Sequence, residues 1–233
     1  MDTINVFKLA FKLAPYFLGG FNQSNQSNQN EAVSVEQSTK DKALMSLKNK
    51  DGSVTVLIGS RDTGKTELAL RVAEFFNRPT YMVSPQQKPP KWVTHLPVKD
   101  LLTVPPWSTM ICDDLPAYMS NKDYSEEFSK NVEKCIPMVR HEPQPPDFPV
   151  GQVHLIFCTQ SASQADKYIL DCDAAFLKPL GLLMDDVERS SVSRLMRLHV
   201  NPLFDGQSDE FVHRHAYMIT RQYKGLIEFK KTR

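Results

Sequence analysis

The sequence predicts an α/β domain whose central sheet is mostly parallel, flanked by helices and closed by an antiparallel hairpin. Three observations carry this. Short apolar runs rich in β-branched and aromatic residues alternate with helical stretches from Val54 onward, and such runs read as strands buried on both faces. Strand–helix alternation over this length is the pattern of a three-layer α/β domain. Finally, YMITRQYKGLIEF at Tyr217–Phe229 reads as two strands around a Gly-containing turn.

The chain has 233 residues with 28 Lys+Arg against 27 Asp+Glu, a formal net charge of +1, so no global charge imbalance selects a partner. That length suits one large domain or one domain with appendages. A hydrophobic content of 41% with 13 Phe excludes a wholly disordered chain. The four cysteines, at 112, 135, 158 and 172, form no CxxC pair, so neither a zinc site nor a redox dithiol is signalled. They are expected to be reduced and mostly buried. No secretory leader and no run of about 18 apolar residues is evident, so a cytoplasmic protein is expected.

Three segments are expected in order. Residues 1–18 contain VFKLAFKLAPYFL, in which Lys8 and Lys12 share one helical face and apolar residues fill most of the rest. Such a helix either lies in a membrane interface, its lysines at anionic head groups, or docks on protein. Residues 19–39 cycle through Asn, Gln and Ser, too polar to bury a core, and read as a flexible tether. The main domain is expected over 40–233. Its strands are Val54–Gly59, Thr80–Ser84, Thr109–Asp113, Val153–Thr159 and Ala174–Lys178, with a helical stretch near Asp185–His199.

GSRDTGKT, Gly59–Thr66, fits G-x-x-x-x-G-K-[ST] between a strand pattern and the helix pattern ELALRVAEFF. The residue types suit phosphate. Gly59, Ser60, Arg61, Asp62, Thr63 and Gly64 supply a loop whose N–H groups can wrap it, and the following helix adds its positive end. Lys65 would reach the β and γ phosphates and Thr66 would ligate Mg²⁺. The strand TMIC then runs into Asp113 and Asp114, a Walker B pattern in which Asp113 holds Mg²⁺ and Asp114 orients or deprotonates the attacking water. The strand VHLIFC ends in Thr159-Gln160. A polar pair there faces the ligand crevice of an open α/β sheet, so Gln160 would sense the γ phosphate or position water. Asn121-Lys122-Asp123 imitates a guanine-reading motif, but Tyr124 stands where a carboxylate is needed; ATP is therefore expected over GTP.

This order of elements resembles the HerA/FtsK superfamily of RecA-like P-loop ATPases, and Thr159-Gln160-Ser161 with the terminal hairpin is similar to its viral branch, the genome-packaging ATPases of tailless, membrane-containing icosahedral phages and viruses. The resemblance spans about Val54–Phe229. It implies a Gln-bearing strand between the phosphate-loop strand and the Walker B strand. It also implies an ATPase ring, a hexamer, that drives double-stranded DNA into a capsid. An arginine finger reaching a neighbour's ATP is implied as well, with Arg140 the topological match and Arg189 and Arg194 its rivals. Asp114 departs from the Glu of many relatives. In the virion, residues 1–18 would meet the membrane or a vertex protein, and the host cytoplasm would be the place of assembly.

DNA contact is expected of the C-terminal strip, where Arg214, Arg221, Lys224, Lys230, Lys231 and Arg233 face one acid, Glu228. The rival readings are another DNA-translocating ATPase, a small-molecule kinase, for which no arginine-rich lid is seen, and a non-motor ATP-binding assembly factor.

Overall fold

The computed structural model describes residues 26–84, 88–97, 100, 103–114, 130, 136–145, 150–164, 171–181, 188 and 190–229, with side chains from residue 37. The apolar segment 6–18, the guanine-motif imitation at 121–124, Cys135, Arg189 and the basic residues 230, 231 and 233 lie outside them.

The chain falls into two units, residues 1–42 and residues 43–233. Helix α1 spans Gln26–Lys48, so the segment expected to be a tether up to residue 39 is helical from Gln26. The reason is local. No Gly or Pro occurs between Gly20 and Gly52, and from Glu31 the chain is rich in Ala, Glu, Gln, Lys, Leu and Met, which tolerate a helix well. Low apolar content argues against a packed core, not against a helix.

In the second unit eight strands form one sheet, in the order β3-β2-β4-β5-β1-β6-β7-β8. The strands are β1 (Ser53–Ile58), β2 (Thr80–Val83), β3 (Val93–His95), β4 (Thr109–Cys112), β5 (His154–Thr159), β6 (Ala174–Leu177), β7 (His215–Thr220) and β8 (Lys224–Glu228). All five expected strands are present, and the terminal hairpin is β7–β8. The three-residue β3 was not foreseen, since Val-Thr-His is too short and polar to signal a strand. Pairing is parallel from β3 through β6 and antiparallel for β6–β7 and β7–β8.

The strand order places β5, which ends at Thr159, directly between β1 and β4, as the resemblance implies. Every residue of β1, β4 and β5 is buried, because helices cover both faces. Val54, Val56, Ile58, Leu155 and Phe157 pack on one face with Met196, Val200 and Phe204. Leu57, Ile156 and Cys158 pack on the other with Leu68, Val72 and Phe76 of helix α2 (Lys65–Phe76) and with Ala43 and Leu47.

A helical run follows as α3 (Ser190–Leu195), a π turn (Met196–Val200) and α4 (Asn201–Phe204). Pro202 accounts for the π turn: it has no N–H and its ring crowds the carbonyl four residues back, so the backbone widens and Asn201 N–H reaches Met196 O. Helix α5 (Asp209–Arg214) is capped by Ser208, whose hydroxyl accepts from Phe211 N–H. Among the described residues Cys112, Cys158 and Cys172 form no disulfide, and the first two are buried. Among the described residues no helix is long and apolar enough to cross a membrane.

Candidate functional site: a phosphate loop beside two acids

The loop Gly59–Gly64 leaves the buried strand β1 and enters α2, so it lies at the carboxyl edge of the parallel strands. Its path needs two left-handed residues, Asp62 at φ 59° and Gly64 at φ 77°. Glycine meets the second demand without a steric penalty, and a Cβ on Gly64 would stand 3.1 Å from His213 Cα. Gly59 is required by crowding instead, because its Cβ would lie 2.7 Å from Lys178 Cβ.

Two donors hold the loop's own backbone. Thr63 Oγ1 donates to Ser60 O at 2.8 Å and Lys65 Nζ to the same carbonyl at 2.6 Å. Burial holds the Lys65 ammonium below its ordinary pKa, against the opposing pull of Cys158, Asp113 and Asp114. A bound phosphate would offer that cation a stronger acceptor than a peptide carbonyl.

Asp113 and Asp114 follow β4 and reach the loop from the strand two positions away. Thr66 Oγ1 donates to both carboxylate oxygens of Asp113 at 3.0 Å, and Ser84 Oγ at the end of β2 stands 3.4 Å from Asp113 Oδ2. Neighbouring oxygen ligands of an octahedral Mg²⁺ are about 2.9 Å apart, given Mg–O distances near 2.0–2.1 Å. The Thr66–Asp113 separation therefore fits that ion. Asp113 is buried, and burial raises its pKa against the lowering effect of the Thr66 hydrogen bond; a divalent cation would remove that penalty.

Asp114 takes the left-handed conformation at φ 53°, which turns its carboxylate toward β5. Gln160 Nε2 donates to Asp114 Oδ1 at 3.3 Å, while Arg61 Nε donates to Gln160 Oε1 at 3.3 Å. A side-chain bridge thus runs from the phosphate loop through Gln160 to the second acid. Gln160 is held by its neighbours. Thr159 Oγ1 donates to Ser161 O at 2.9 Å, and Glu188 accepts from Ser161 Oγ and Ala162 N–H at 2.7 Å each.

Gly59–Thr66, Asp113, Asp114 and Gln160 are therefore brought together. Arg140 is not. It pairs with Asp173, whose backbone N–H donates to Val54 O near the start of β1, at the opposite edge of the sheet. That places it about 15 Å along the strands from the loop of its own chain. Arg194 is exposed on α3. Three nearby residues escaped the sequence: Ser84, Lys178 and His213. Ser84 and Lys178 did carry a signal, a polar residue closing an apolar strand; His213 carried none.

No family model and no curated protein matches the chain. Among solved structures the chain is similar to the genome packaging NTPase B204 of Sulfolobus turreted icosahedral virus 2, solved in complex with AMPPCP, at 10% identity and a TM-score of 0.45, over 78% of this chain and 99% of that one. It is also similar to the cytoplasmic domain of EssC, at 12% identity and a TM-score of 0.44, over 79% of this chain and 39% of that one. Thermomonospora curvata EccC, in a structure of its ATPases 2 and 3 with a signal sequence peptide, matches at 12% identity and a TM-score of 0.44, over 80% of this chain and 38% of that one. These are likenesses of overall shape. The chemistry of the site rests on its own geometry: a P-loop NTPase arrangement with its phosphate loop, acid pair and glutamine in contact.

Proposed function

We propose that the chain is a Mg²⁺-dependent ATPase that couples hydrolysis to movement of double-stranded DNA, as the motor of a viral genome-packaging ring. The observation that carries the ATPase part is the bridge from Arg61 through Gln160 to Asp114, beside the Thr66–Asp113 pair. It links a γ-phosphate sensor to a water-handling acid, which nucleotide binding alone would not require.

In this reading Lys65 leaves the Ser60 carbonyl for the β and γ phosphates, and Thr66 with Asp113 would hold Mg²⁺, which when bound would supply charge neutralisation to the phosphates. Asp114 accepts the proton of the attacking water as its oxygen bonds to the γ phosphorus and the bond to the β,γ-bridging oxygen breaks. Gln160 loses its γ-phosphate partner after cleavage, so the Arg61–Gln160–Asp114 bridge differs before and after hydrolysis. That difference is what a motor needs to transmit.

The position of Arg140 away from its own loop, with a side chain 56% exposed, suits a finger offered to a neighbouring subunit of a hexamer. The turn carrying Arg221 and Lys224 supports DNA contact, because antiparallel pairing of Ala174 with Thr220 puts it at the sheet edge remote from the nucleotide. Residues 1–18 would seat the ring on the virion membrane or on a vertex protein after assembly in the host cytoplasm.

The test is steady-state ATP hydrolysis with Mg²⁺ at low salt, for wild type and Lys65→Ala, with and without double-stranded DNA, with both proteins sized by light scattering. DNA-stimulated turnover that Lys65→Ala lacks is the expected result. Turnover indifferent to DNA, or none from an assembled ring, would overturn the motor.

A further inference from the structure

Lys178 is the most deeply buried charged side chain of the described residues, 1% exposed at the end of β6, and the hydrolytic mechanism does not use it. Its Cβ lies against Gly59, at the start of the phosphate loop. Its Nζ donates to Val212 O at 2.5 Å and His213 O at 3.1 Å, carbonyls in the last turn of α5, where a cation suits the helix C-terminus. The chain then returns to the loop. The His213 ring lies over Gly64, and His213 Nε2 is 2.9 Å from Asp62 O. A carbonyl accepts only, so Nε2 carries the proton and donates.

We infer that His213 is a positioning residue for the phosphate loop: it fixes the Asp62–Thr63 peptide in the orientation that phosphate binding needs, and Lys178 holds His213 in place. The argument is geometric. A trans peptide sets its C=O and N–H in opposite directions, so tying the Asp62 carbonyl to α5 turns the Thr63 N–H away from α5 and leaves it for a phosphate oxygen. Asp62 sits at φ 59°, a left-handed conformation that Asp tolerates better than most residues but that still costs free energy a tie can offset. The other pinned carbonyl of the loop, Ser60 O, accepts from Thr63 within the loop and from Lys65, the very group a nucleotide would recruit. When Lys65 leaves, His213 remains as a tie on the Asp62 carbonyl from outside the loop that does not compete with the ligand. This rests on the loop binding nucleotide, as proposed above.

The experiment compares His213→Ala, His213→Gln and Lys178→Met in the full chain. Hydrogen exchange of the amides of residues 60–66 is followed without nucleotide, and affinity for a fluorescent ATP analogue is measured alongside. His213→Ala should speed that exchange and weaken the analogue by about three- to tenfold, the worth of one net hydrogen bond. Gln, whose Nε2 can still donate to the carbonyl, should restore both. Lys178→Met should act in the same direction and add little to His213→Ala; if it fails to fold, the Ala/Gln pair decides. Unchanged exchange in His213→Ala, or Gln no better than Ala, overturns the inference. Altered exchange in a protein that binds no analogue would leave the tie standing and remove the nucleotide reading instead.

Discussion

The hydroxyl of Thr66, on the first turn of α2, donates to both carboxylate oxygens of Asp113, at the end of β4, at 3.0 Å each. A buried acid is thereby held by a neutral donor, and burial still leaves its pKa raised. At neutral pH the charge on Asp113 costs the empty protein stability, because the carboxylate is better solvated in the unfolded chain. Asp113→Asn should therefore be as stable as wild type or more so without ligand. It should also lose turnover by about a hundredfold or more, the scale of a lost metal ligand. Thermal unfolding with and without Mg²⁺-nucleotide checks both: only wild type should gain stability from the ligand.

The neighbouring acid carries a different prediction. Asp114 stands at φ 53°, which short Asn and Asp side chains tolerate better than longer ones. This gives a physical reason for Asp rather than Glu at this position. Asp114→Asn should keep the backbone, the contact with Gln160 and the nucleotide affinity, while kcat falls by about 10²–10⁴, the usual worth of a general base. Asp114→Glu should fold less stably than Asp114→Asn. Binding of a non-hydrolysable ATP analogue measured beside single-turnover hydrolysis separates these effects.

The legible part of this site is the part written in local strings and at the ends of apolar strands. Gly59, Gly64, Lys65 and Thr66 form a string that composition rarely produces, and Asp113, Asp114 and Gln160 stand where apolar strands end. Lys178 also ends an apolar strand, yet nothing in AAFLK shows that its ammonium turns inward to two carbonyls 34 and 35 residues away. His213 belongs to a six-residue helix whose place beside the loop is set by the long-range pairing of β7 with β6. The helix from Gln26 is hidden for another reason: its polar composition signals only that no core is buried there, and helix propensity and core burial are separate quantities.

Acid should weaken this fold through His154. It sits buried at the start of β5, its Nδ1 2.7 Å from Ser53 Oγ and its ring stacked on Phe76 at 4.0 Å. Burial, with the Arg78 cation nearby, lowers its pKa from 6.5 to about 3. Between those values the unfolded chain binds a proton that the folded chain refuses, so the stability this neutral ring contributes is present above pH 6.5 and lost as pH falls toward 3. The slope would be up to about 1.4 kcal/mol per pH unit. Urea unfolding at pH 7, 5.5 and 4.5 should show wild type losing more than His154→Phe, which keeps the stack and removes the titration. Equal losses in the two proteins would remove His154 as the cause.

Arg140 lies at the end of the strands away from its own loop, tied to Asp173 together with Lys50. If it completes a neighbour's site, Arg140→Ala should lose turnover about 10³-fold or more, as removal of an arginine finger does, while each subunit still binds ATP. The decisive step mixes it with Asp114→Asn, which is inactive for a different reason. In a ring of head-to-tail contacts assembled from equal parts, about a quarter of the sites pair an intact Asp114 with an intact Arg140 from the next subunit, and turnover should return to that extent. A mixture as inactive as its parts would place the finger elsewhere, and the exposed Arg194 would be exchanged in the same way. Because Asp173 competes for the guanidinium, Asp173→Asn in the wild-type ring should release Arg140 and raise turnover, whereas a purely structural ion pair would show lost stability with turnover unchanged.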